Sequence, residues 1–387
     1  MNKEVTTKVP RHGGKKWLAF IRYALNPDAF EAPEMDEKDW VLLYRFSYRH
    51  AILGIVFEGV RRLGEGGNIP HRVLKDWLVN AVKIEKKNVI VNHVAAKMYR
   101  QLTGDGLRCC VLKGQGNNLM YPNMFCRTPG DIDVWMASDG DAQPEVRKIL
   151  EYVRSHNPKG RTIYHHIDYG VFEGVDVEAH YRPSFMNFPV NNHRLQKWFI
   201  QQADAQFRNH VELPDNAGEI AIPTPEFNAV YQLAHIYGHL LNNGIGMRQI
   251  IDYYYVMLSI KDKHGLEATL RYLGLYKIAG AVMWVLHNIL GMEERYLITA
   301  MDEKRGRALY EEIVSGGNVR YNKTDKKKPL WQLFFKKNIQ RLRRDIRMVR
   351  YFPSECLFEP LFRFYHFFWR VVRYNMDKRY IGTRNLG

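Results

Sequence analysis

The sequence predicts an α+β protein, in which a small mixed β-sheet core carries helical additions on its N-terminal and C-terminal sides. Apolar residues recur at three-to-four spacing from about residue 36 to 104 and again beyond residue 225, which is the period of amphipathic helices. Between these regions, short apolar or alternating runs are separated by glycine and proline, as strands and turns are. Strands grouped between groups of helices are typical of the α+β class.

Four regions are predicted along the 387 residues. They are an N-terminal helical region (1–104), a mixed core (105–215), a helical domain (216–324) and a basic, aromatic, helical C-terminal region (325–387). In the first region, one helix is predicted through residues 40–64, where it ends in a glycine cluster, and a longer helix through residues 71–102.

The core is predicted to hold four strands. The apolar run LRCCVL (107–112) is a buried strand, and a turn and a short helix that ends before Pro122 follow it. The run DIDVWM (131–136) is a second strand, and residues 142–156 form an amphipathic helix. The runs TIYHHIDYGVF and VDVEAHYRP alternate in polarity and join at Gly174 as two further strands. The clearest later helices cover 225–241, 246–260 and 275–290.

Charge and cysteine content narrow the function classes. The chain carries 57 basic and 41 acidic residues, a formal charge of +16, which predicts an anionic partner such as a nucleotide, nucleic acid, acidic saccharide or lipid surface. The four cysteines have no zinc-finger spacing and form no disulfide framework. Neither a signal peptide nor an apolar run of about 18 residues is present. We expect a cytoplasmic protein without a transmembrane segment, and contact with a membrane periphery stays open.

The strongest chemical signal is the pair Asp131 and Asp133. Residues two apart on a strand share a face, so their carboxylates repel unless a cation, first of all a divalent metal, compensates. Gly114 follows a strand and precedes a short helix, where its backbone can approach a phosphate. A third carboxylate from another strand would complete a two-metal site. Asp176 and Glu178 are the two candidates, and both share a strand face with His180.

This pattern resembles a known family. The order "LKGQ…YP…R.PGDIDVWM…VDVEAHYRP" is similar to the uncharacterised bacterial nucleotidyltransferase family NTP_transf_5, within the DNA polymerase β-like nucleotidyltransferase superfamily. The resemblance covers roughly residues 105–255. The matching positions are Lys113, Gly114, Arg127, Gly130 to Asp133, Glu178, His180 and Asp252. The chain departs from the superfamily in having Gly114-Gln115 instead of a Gly-Ser or Gly-Gly pair and in a longer spacing to Asp131.

The resemblance implies a fold, an activity and a set of roles. The core would be a nucleotidyltransferase core that uses two Mg²⁺ ions, with Mn²⁺ as an alternative, to move an NMP from an NTP such as ATP to a hydroxyl of an unknown acceptor. Asp131, Asp133 and Glu178 would be catalytic and, with Asp176 as the alternative third ligand, would hold the metal. The residues expected at the nucleotide are Lys113, Gly114, Gln115, Arg127, Gly130 and His180.

Several roles stay open at this level. Arg127 either contacts a phosphate or forms a salt bridge to Asp131, and His180 either points at the substrate or holds Glu178. Asp252 is expected to be structural or to orient a ligand. At most one of two other neighbouring histidines, His165 and His166, is expected to face the cleft, since they alternate along a strand. The pair His235 and His239 has zinc-compatible helical spacing, but packing inside a helix bundle is the favoured role.

Two other classes of protein remain as alternatives. A metal-dependent glycosyltransferase also uses Asp-x-Asp to bind a sugar nucleotide, but the helices that precede the motif here argue against its larger nucleotide domain. A non-catalytic protein that binds a membrane or nucleic acid is the other, because residues 325–387 contain 16 Lys/Arg, 5 Asp/Glu and 14 aromatic residues. That region is predicted to fold onto the body as helices, since an aromatic stripe (Phe358, Phe362, Tyr365, Trp369) recurs at helical spacing. It could also contact an anionic polymer or a membrane surface.

Overall fold

The computed structural model of the chain describes residues 14–138, 146–242, 244–316 and 330–384. Parts of several predicted elements lie outside these residues, namely 1–13 of the N-terminal region, 142–145 of the predicted helix, and 325–329 and 385–387 of the C-terminal region.

Four helices form the N-terminal layer. They are α1 (Gly14–Leu25), α2 (Glu37–Arg49), α3 (Leu53–Leu63) and α4 (His71–Gly104). Helix α2 begins with a capping box, in which the side chains of Asp36 and Asp39 each accept the other's backbone N–H. Ala51 has a φ of 56°, which no right-handed helix can include, so the single helix predicted over 40–64 is two helices. The indole of Trp77 donates to the Leu53 carbonyl at 3.0 Å and joins α4 to α3.

A four-stranded mixed sheet forms the core. Its strands and intervening helices are β1 (Leu107–Leu112), α5 (Gln115–Asn118), β2 (Ile132–Ser138), α6 (Val146–His156), β3 (His166–Phe172) and β4 (Val175–His180). The strand order is β1-β2-β4-β3. Strands β2 and β4 are parallel, and the two outer pairs are antiparallel. Strands β1, β2 and β4 lie where the sequence predicts them, because their apolar and alternating runs are bounded by glycine or proline. Strand β3 is shorter than the predicted run 162–172, since it begins at His166.

A helix and a hairpin that the sequence analysis does not predict follow the sheet. They are α7 (Pro189–Phe207), β5 (His210–Leu213) and β6 (Gly218–Ala221). The buried apolar positions of α7 recur only every fourth residue, at Leu195, Phe199, Ala203 and Phe207, and polar residues fill most of the other positions. The strands of the hairpin have four residues each, which is too short for an alternating pattern to stand out.

The C-terminal half of the chain is helical. Its helices are α8 (Pro225–Asn242), α9 (Met247–Ser259), α10 (Leu266–Tyr272), α11 (Tyr276–Trp284), α12 (Glu303–Gly316), α13 (Leu330–Met348) and α14 (Pro353–Arg384). The three helices predicted there correspond to α8, α9 and α11, and a π-helical turn extends α11. Helices α13 and α14 form the predicted helical C-terminal region.

The α+β class with helices on both sides of a small mixed sheet is confirmed. One continuous cluster of buried apolar residues runs from Trp17 to Cys356, and the boundaries between the four predicted regions stay predictions. Among the described residues, no helix combines the length and the apolar content needed to cross a bilayer.

Candidate active site

A strained turn at the end of β1 positions Lys113. Lys113 and Gly114 both have left-handed backbones, with φ values of 43° and 50°. Only glycine adopts this region without cost, so the turn is a place where the fold holds an unfavourable conformation at Lys113. The turn brings Gly114 beside the backbone carbonyl of Asp131, which a Cβ would meet at 3.9 Å. It also places the Lys113 Nζ atom 3.1 Å from Asp133 Oδ2.

Two carboxylates meet on the central parallel strands. Asp133 of β2 lies directly opposite Glu178 of β4 in the strand register, and side chains in register share a face. The alternate residues Ile132 and Val134, and likewise Val177, are buried in the core, as the alternation predicts. Asp133 is 1% exposed, whereas the Glu178 side chain is 27% exposed. Two acidic groups therefore converge where one of them is fully removed from water.

His180 lies between these carboxylates. Its Nε2 is 3.0 Å from Asp133 Oδ1 and 3.5 Å from Glu178 Oε2. Burial alone would lower the pKa of this imidazole, but the hydrogen bonds and charges of both carboxylates raise the pKa of His180 to about 9. Of the two roles left open for His180, a contact with Glu178 is present in the structure, and His180 also contacts Asp133.

The carboxylates are held ionised by their cationic neighbours. Burial raises the pKa of Asp133, but the Lys113 ammonium and the His180 hydrogen bond outweigh it and hold that pKa below its ordinary value. Burial likewise opposes ionisation of Glu178, and the His180 hydrogen bond and the charge of His166 lower its pKa. The positive charges of Lys113 and His180 thus offset the negative charges of Asp133 and Glu178.

A second ring of polar groups surrounds Glu178. His166 Nδ1 lies 3.3 Å from Glu178 Oε2, and His166 Nε2 lies 3.5 Å from Asp168 Oδ1. The ligand atoms of His165, His166 and His180 lie within 4.8 Å of one another. Opposite faces were expected for His165 and His166 because both were placed on one strand, but β3 begins at His166 and His165 precedes it, so the strand alternation does not apply to this pair.

Asp168 is a further acidic residue near Glu178 that the sequence analysis does not select, although the strand pattern could have indicated it. The predicted strand TIYHHIDYGVF places residues 166 and 168 on one face, so His166 and Asp168 could have been selected together.

The remaining predicted acidic residues lie nearby. Asp131 lies just before β2 and is partly exposed. Its negative charge acts to raise the pKa of Glu178, but the histidine partners of Glu178 outweigh this effect. Gly130 precedes Asp131 in the segment that leads into the strand. Asp176 is exposed at the start of β4, opposite Val171 of β3. Across the described part of the chain, the groups of potential metal ligands include Glu178 and not Asp176 or Asp131.

Arg127 makes a buried ion pair with Asp252 of α9. Its Nε and NH2 atoms donate to the two carboxylate oxygens at 2.6 and 2.8 Å, and Tyr121 donates its hydroxyl to the same carboxylate at 2.6 Å. Burial raises the pKa of Asp252, but the Arg127 charge outweighs it and keeps that pKa low. A phosphate contact and a salt bridge to Asp131 were the two open roles for Arg127, and the ion pair that the structure gives it is with Asp252. Arg127 instead anchors the segment that leads to Asp131, which agrees with an orienting role for Asp252.

Gln115 presents its side chain to the core. Its amide is 3% exposed and donates to Asn92 of α4. The neighbouring Asn118 donates to Asn88 of the same helix at 2.9 Å. These buried amides fix α5 on α4, so the contact that Gln115 can offer a nucleotide is through its backbone.

His235 of α8 contacts Lys113 from above the sheet, with 3.5 Å between its Nε2 and the ammonium. Burial and the Lys113 charge hold the pKa of His235 well below its usual range, so the ring is neutral and accepts from Lys113. The ring of His239 packs edge-on against that of His235, with 4.4 Å between the ring centroids. Packing inside the helix bundle is the role favoured for this pair from the sequence. The contact of His235 with Lys113 spans 122 residues, and no local pattern predicts it.

The donor set fits a divalent cation. Asp133, Glu178 and His180 each offer a ligand atom within 4.8 Å of the others, and two of the three atoms are the carboxylate oxygens that Mg²⁺ and Mn²⁺ favour. Both oxygens of Asp133 already have cationic partners. A metal at Asp133 would therefore compete with Lys113, whose side chain is 21% exposed.

This combination of a mixed sheet, a lysine-glycine turn and converging carboxylates defines a site suited to metal-assisted group transfer. Residues 36–291 match the family described as "Uncharacterised nucleotidyltransferase", and the chain belongs to that family. The resemblance read from the sequence is thereby confirmed. The match also extends beyond residues 105–255 to helices α2, α3 and α4 and to the end of the π-helical turn.

A solved structure is also similar. It is the crystal structure of an antigenic nucleotidyltransferase-like protein from Paracoccidioides brasiliensis, with 14% sequence identity and a TM-score of 0.31. The similarity covers 56% of this chain and 96% of that chain. Among curated proteins, none matches at a significant level.

Proposed function

We propose that the protein is a Mg²⁺-dependent nucleotidyltransferase that moves an NMP from an NTP, with ATP as the first candidate, to a hydroxyl group. The family supports nucleotidyl transfer as the reaction class. The observation that carries the proposal is the register of Asp133 opposite Glu178 on parallel strands, with His180 within 3.5 Å of both. Such a group of oxygen ligands is what a metal-assisted phosphoryl transfer needs.

Asp131, Asp133 and Glu178 are the proposed metal ligands. Divalent ions held there would neutralise the phosphate oxygens and lower the pKa of the acceptor hydroxyl. Glu178 is preferred to Asp176 as the third ligand, because Glu178 lies directly opposite Asp133 in the strand register while Asp176 is exposed and pairs with Val171 of β3.

Lys113 is the proposed phosphate contact. In the structure its ammonium is the counter-ion of Asp133, and a cation at Asp133 would free it for the triphosphate. The neutral His235 limits where the ammonium can go, since it accepts from Lys113 on the opposite side. His180, protonated by its two carboxylate partners, keeps both acidic side chains oriented and reduces their mutual repulsion.

A cavity of about 700 Å³ beside the site is the proposed position of the acceptor. Trp135, which lies two residues beyond Asp133 on the same face of β2, forms one wall. Arg182, two residues beyond His180, is a cation in the lining, and residues of α7 and α14 complete it. The lining is rich in aromatic side chains, including Tyr164 and Phe362.

Ligand-dependent thermal unfolding tests the proposed function. We expect NTP with Mg²⁺ to raise the Tm of the wild type more than a UDP-sugar with Mn²⁺ does, and Asp131→Asn with Asp133→Asn to abolish the NTP effect. Asp176→Asn is the matched control, since this exposed carboxylate of β4 should leave NTP binding unchanged. A preference for the UDP-sugar, or full NTP binding by the double variant, would contradict the proposal. Incubation with α-phosphate-labelled NTPs and cell extract would then identify the labelled acceptor.

A further inference from the structure

Helix α14 turns an apolar face outward. Each apolar side chain of this face is between 43% and 66% exposed. These side chains are Leu357, Leu361, Phe364, Tyr365, Phe367, Phe368, Val371 and Val372. At 3.6 residues per turn they cover an arc of about 160°. Among residues 353–372 this outer face of α14 contains no charged residue. A continuous exposed apolar surface of this kind marks an interaction site.

Within residues 353–372, the acidic residues of α14 face the protein instead. Glu355 and Glu359 are 2% and 1% exposed, and Glu359 pairs with Arg363 at 2.9 Å. A helix at a protein–water boundary normally has the opposite arrangement, with its apolar stripe inward and its charges outward. The arrangement in α14 is that of a helix whose outer neighbour is apolar.

The inner side of α14 is fixed to the body. Phe358 packs edge-on against Phe188 at 5.0 Å, and Phe362 stacks on Phe185 at 4.9 Å. The backbone N–H of Tyr164 donates to the imidazole of His366 at 3.0 Å. The outer face is therefore presented by an anchored helix rather than by a loose end.

Helix α13 adds exposed apolar and basic side chains beside this face. Ile339, Leu342 and Ile346 are 49%, 52% and 66% exposed, and Arg343 and Arg350 of the same stretch are exposed as well. The two helices contact each other through Arg363, which donates to Asn338. Counted in the sequence, residues 325–387 contain 16 basic and 5 acidic residues, a net charge of 16 − 5 = +11.

We propose that the outer face of α14, together with the basic α13–α14 segment, binds the surface of an anionic bilayer. Apolar and aromatic side chains would enter the interface while arginine and lysine residues contact the lipid phosphates. A second copy of the chain is disfavoured as the occupant, because such a contact would bring two +11 segments together. The segments 1–13 and 317–329 of this chain are polar and basic in sequence and supply few apolar side chains to cover the face.

The proposed acceptor cavity adjoins this surface. Leu361 and Tyr365 belong to both the outer face of α14 and the cavity lining. A bilayer bound to α14 would therefore lie next to the cavity opening.

Vesicle co-sedimentation tests this proposal. We expect the full chain to bind vesicles that contain phosphatidylglycerol, to bind pure phosphatidylcholine vesicles much more weakly, and to be released by salt. The variant Phe364→Glu with Phe368→Glu should bind at least tenfold more weakly. The matched control is Leu78→Glu with Ile90→Glu, an apolar pair on α4 that is 50% exposed at each position. This control should bind like the wild type, and circular dichroism should show both variants folded.

Three results would overturn the proposal. The first is absence of wild-type binding to phosphatidylglycerol vesicles, and the second is equal loss of binding in the α4 control. The third is a concentration-dependent dimer in light scattering that Phe364→Glu with Phe368→Glu dissociates, which would assign the face to a second copy. The NTP-dependent Tm shift of each variant, measured in the absence of vesicles, reports on the proposed function separately.

Discussion

At the scale of single residues, Asp133 is the side chain on which the charge balance of the site depends. It is 1% exposed, and each of its oxygens contacts a cation, Lys113 at 3.1 Å and His180 at 3.0 Å. From the sequence, Asp131 and Asp133 predict repulsion, so that removing both carboxylates would stabilise the metal-free protein. The structure reverses the expectation for Asp133, since its pKa is held low by favourable neighbours.

Replacement of Asp133 therefore has a defined cost. Asp133→Asn leaves Lys113 and the protonated His180 without their buried partner, and the free energy of unfolding without metal should fall by about 2–4 kcal/mol. Asp176→Asn, at an exposed position of β4, should change it by less than about 0.5 kcal/mol. Urea unfolding at pH 7 measures both. An unchanged or more stable Asp133→Asn variant would show that the ion pairs with Lys113 and His180 contribute nothing.

At the residue level, the structure brings together side chains that one strand pattern could select, and their roles stay predictions. Asp133 with its strand neighbours, and Glu178 with His180, could be selected because alternation fixes their faces. The partners that depend on distant segments could not be selected. The ion pair of Arg127 joins residues 125 positions apart, and the contact of His235 with Lys113 spans 122 positions. No local period contains information about such pairs.

At the scale of elements, the junction between α14 and the start of α7 contains a buried acid. Glu355 is 2% exposed and accepts the backbone N–H of Asn187 at 2.6 Å and that of Phe188 at 3.3 Å. Burial raises the pKa of Glu355 to about 7 from an ordinary value of 4.5, although both N–H donors act in the opposite direction. Burial of Glu355 in this junction therefore favours its protonated form between about pH 4.5 and 7.

This junction predicts a pH dependence with a definite sign. Because the folded-state pKa lies above the unfolded one, the contribution of Glu355 to stability is complete below about pH 4.5 and is lost as the pH rises to about 7. Glu355→Gln resembles the protonated form and should unfold at a higher Tm than the wild type at pH 8. The corresponding gain in the free energy of unfolding is up to about 3 kcal/mol. At pH 5 the two Tm values should converge. A Tm difference that does not change with pH would contradict the assignment.

Element prediction followed the strength of the local pattern. The strands β1, β2 and β4 carry dense apolar or alternating runs bounded by breakers, and all three were located from sequence. Helix α7 escaped because its apolar residues are sparse, and the split between α2 and α3 escaped because Ala51 has no sequence mark of its positive φ. The aromatic stripe predicts helix α14, but only part of the stripe packs against the body. Phe358 and Phe362 contact Phe188 and Phe185, whereas Tyr365 is 53% exposed. A sequence period shows that a face is apolar and does not show what covers it.

At the scale of the whole molecule, one side of α14 packs on the body of the protein and the other side forms the outer apolar face. Its inner residues Phe358 and Phe362 cover Phe185 and Phe188, and Phe362 also lines the proposed acceptor cavity. Stability and bilayer binding should therefore separate when the two sides of one helix are changed independently.

Deletion of residues 353–387 should destabilise the whole chain, because it uncovers the aromatic residues beneath α14 and removes the buried contacts of Glu355. Loss of about 1.5–3 kcal/mol for each large buried side chain predicts a lower Tm and aggregation at 37 °C. Phe364→Glu with Phe368→Glu in the full chain is the matched comparison, since these outer side chains are already 66% and 49% exposed, and its Tm should stay near that of the wild type. Differential scanning calorimetry distinguishes the two effects. A truncated protein that stays monomeric, with wild-type Tm and intact NTP binding, would show that α14 is only an appendage of the body.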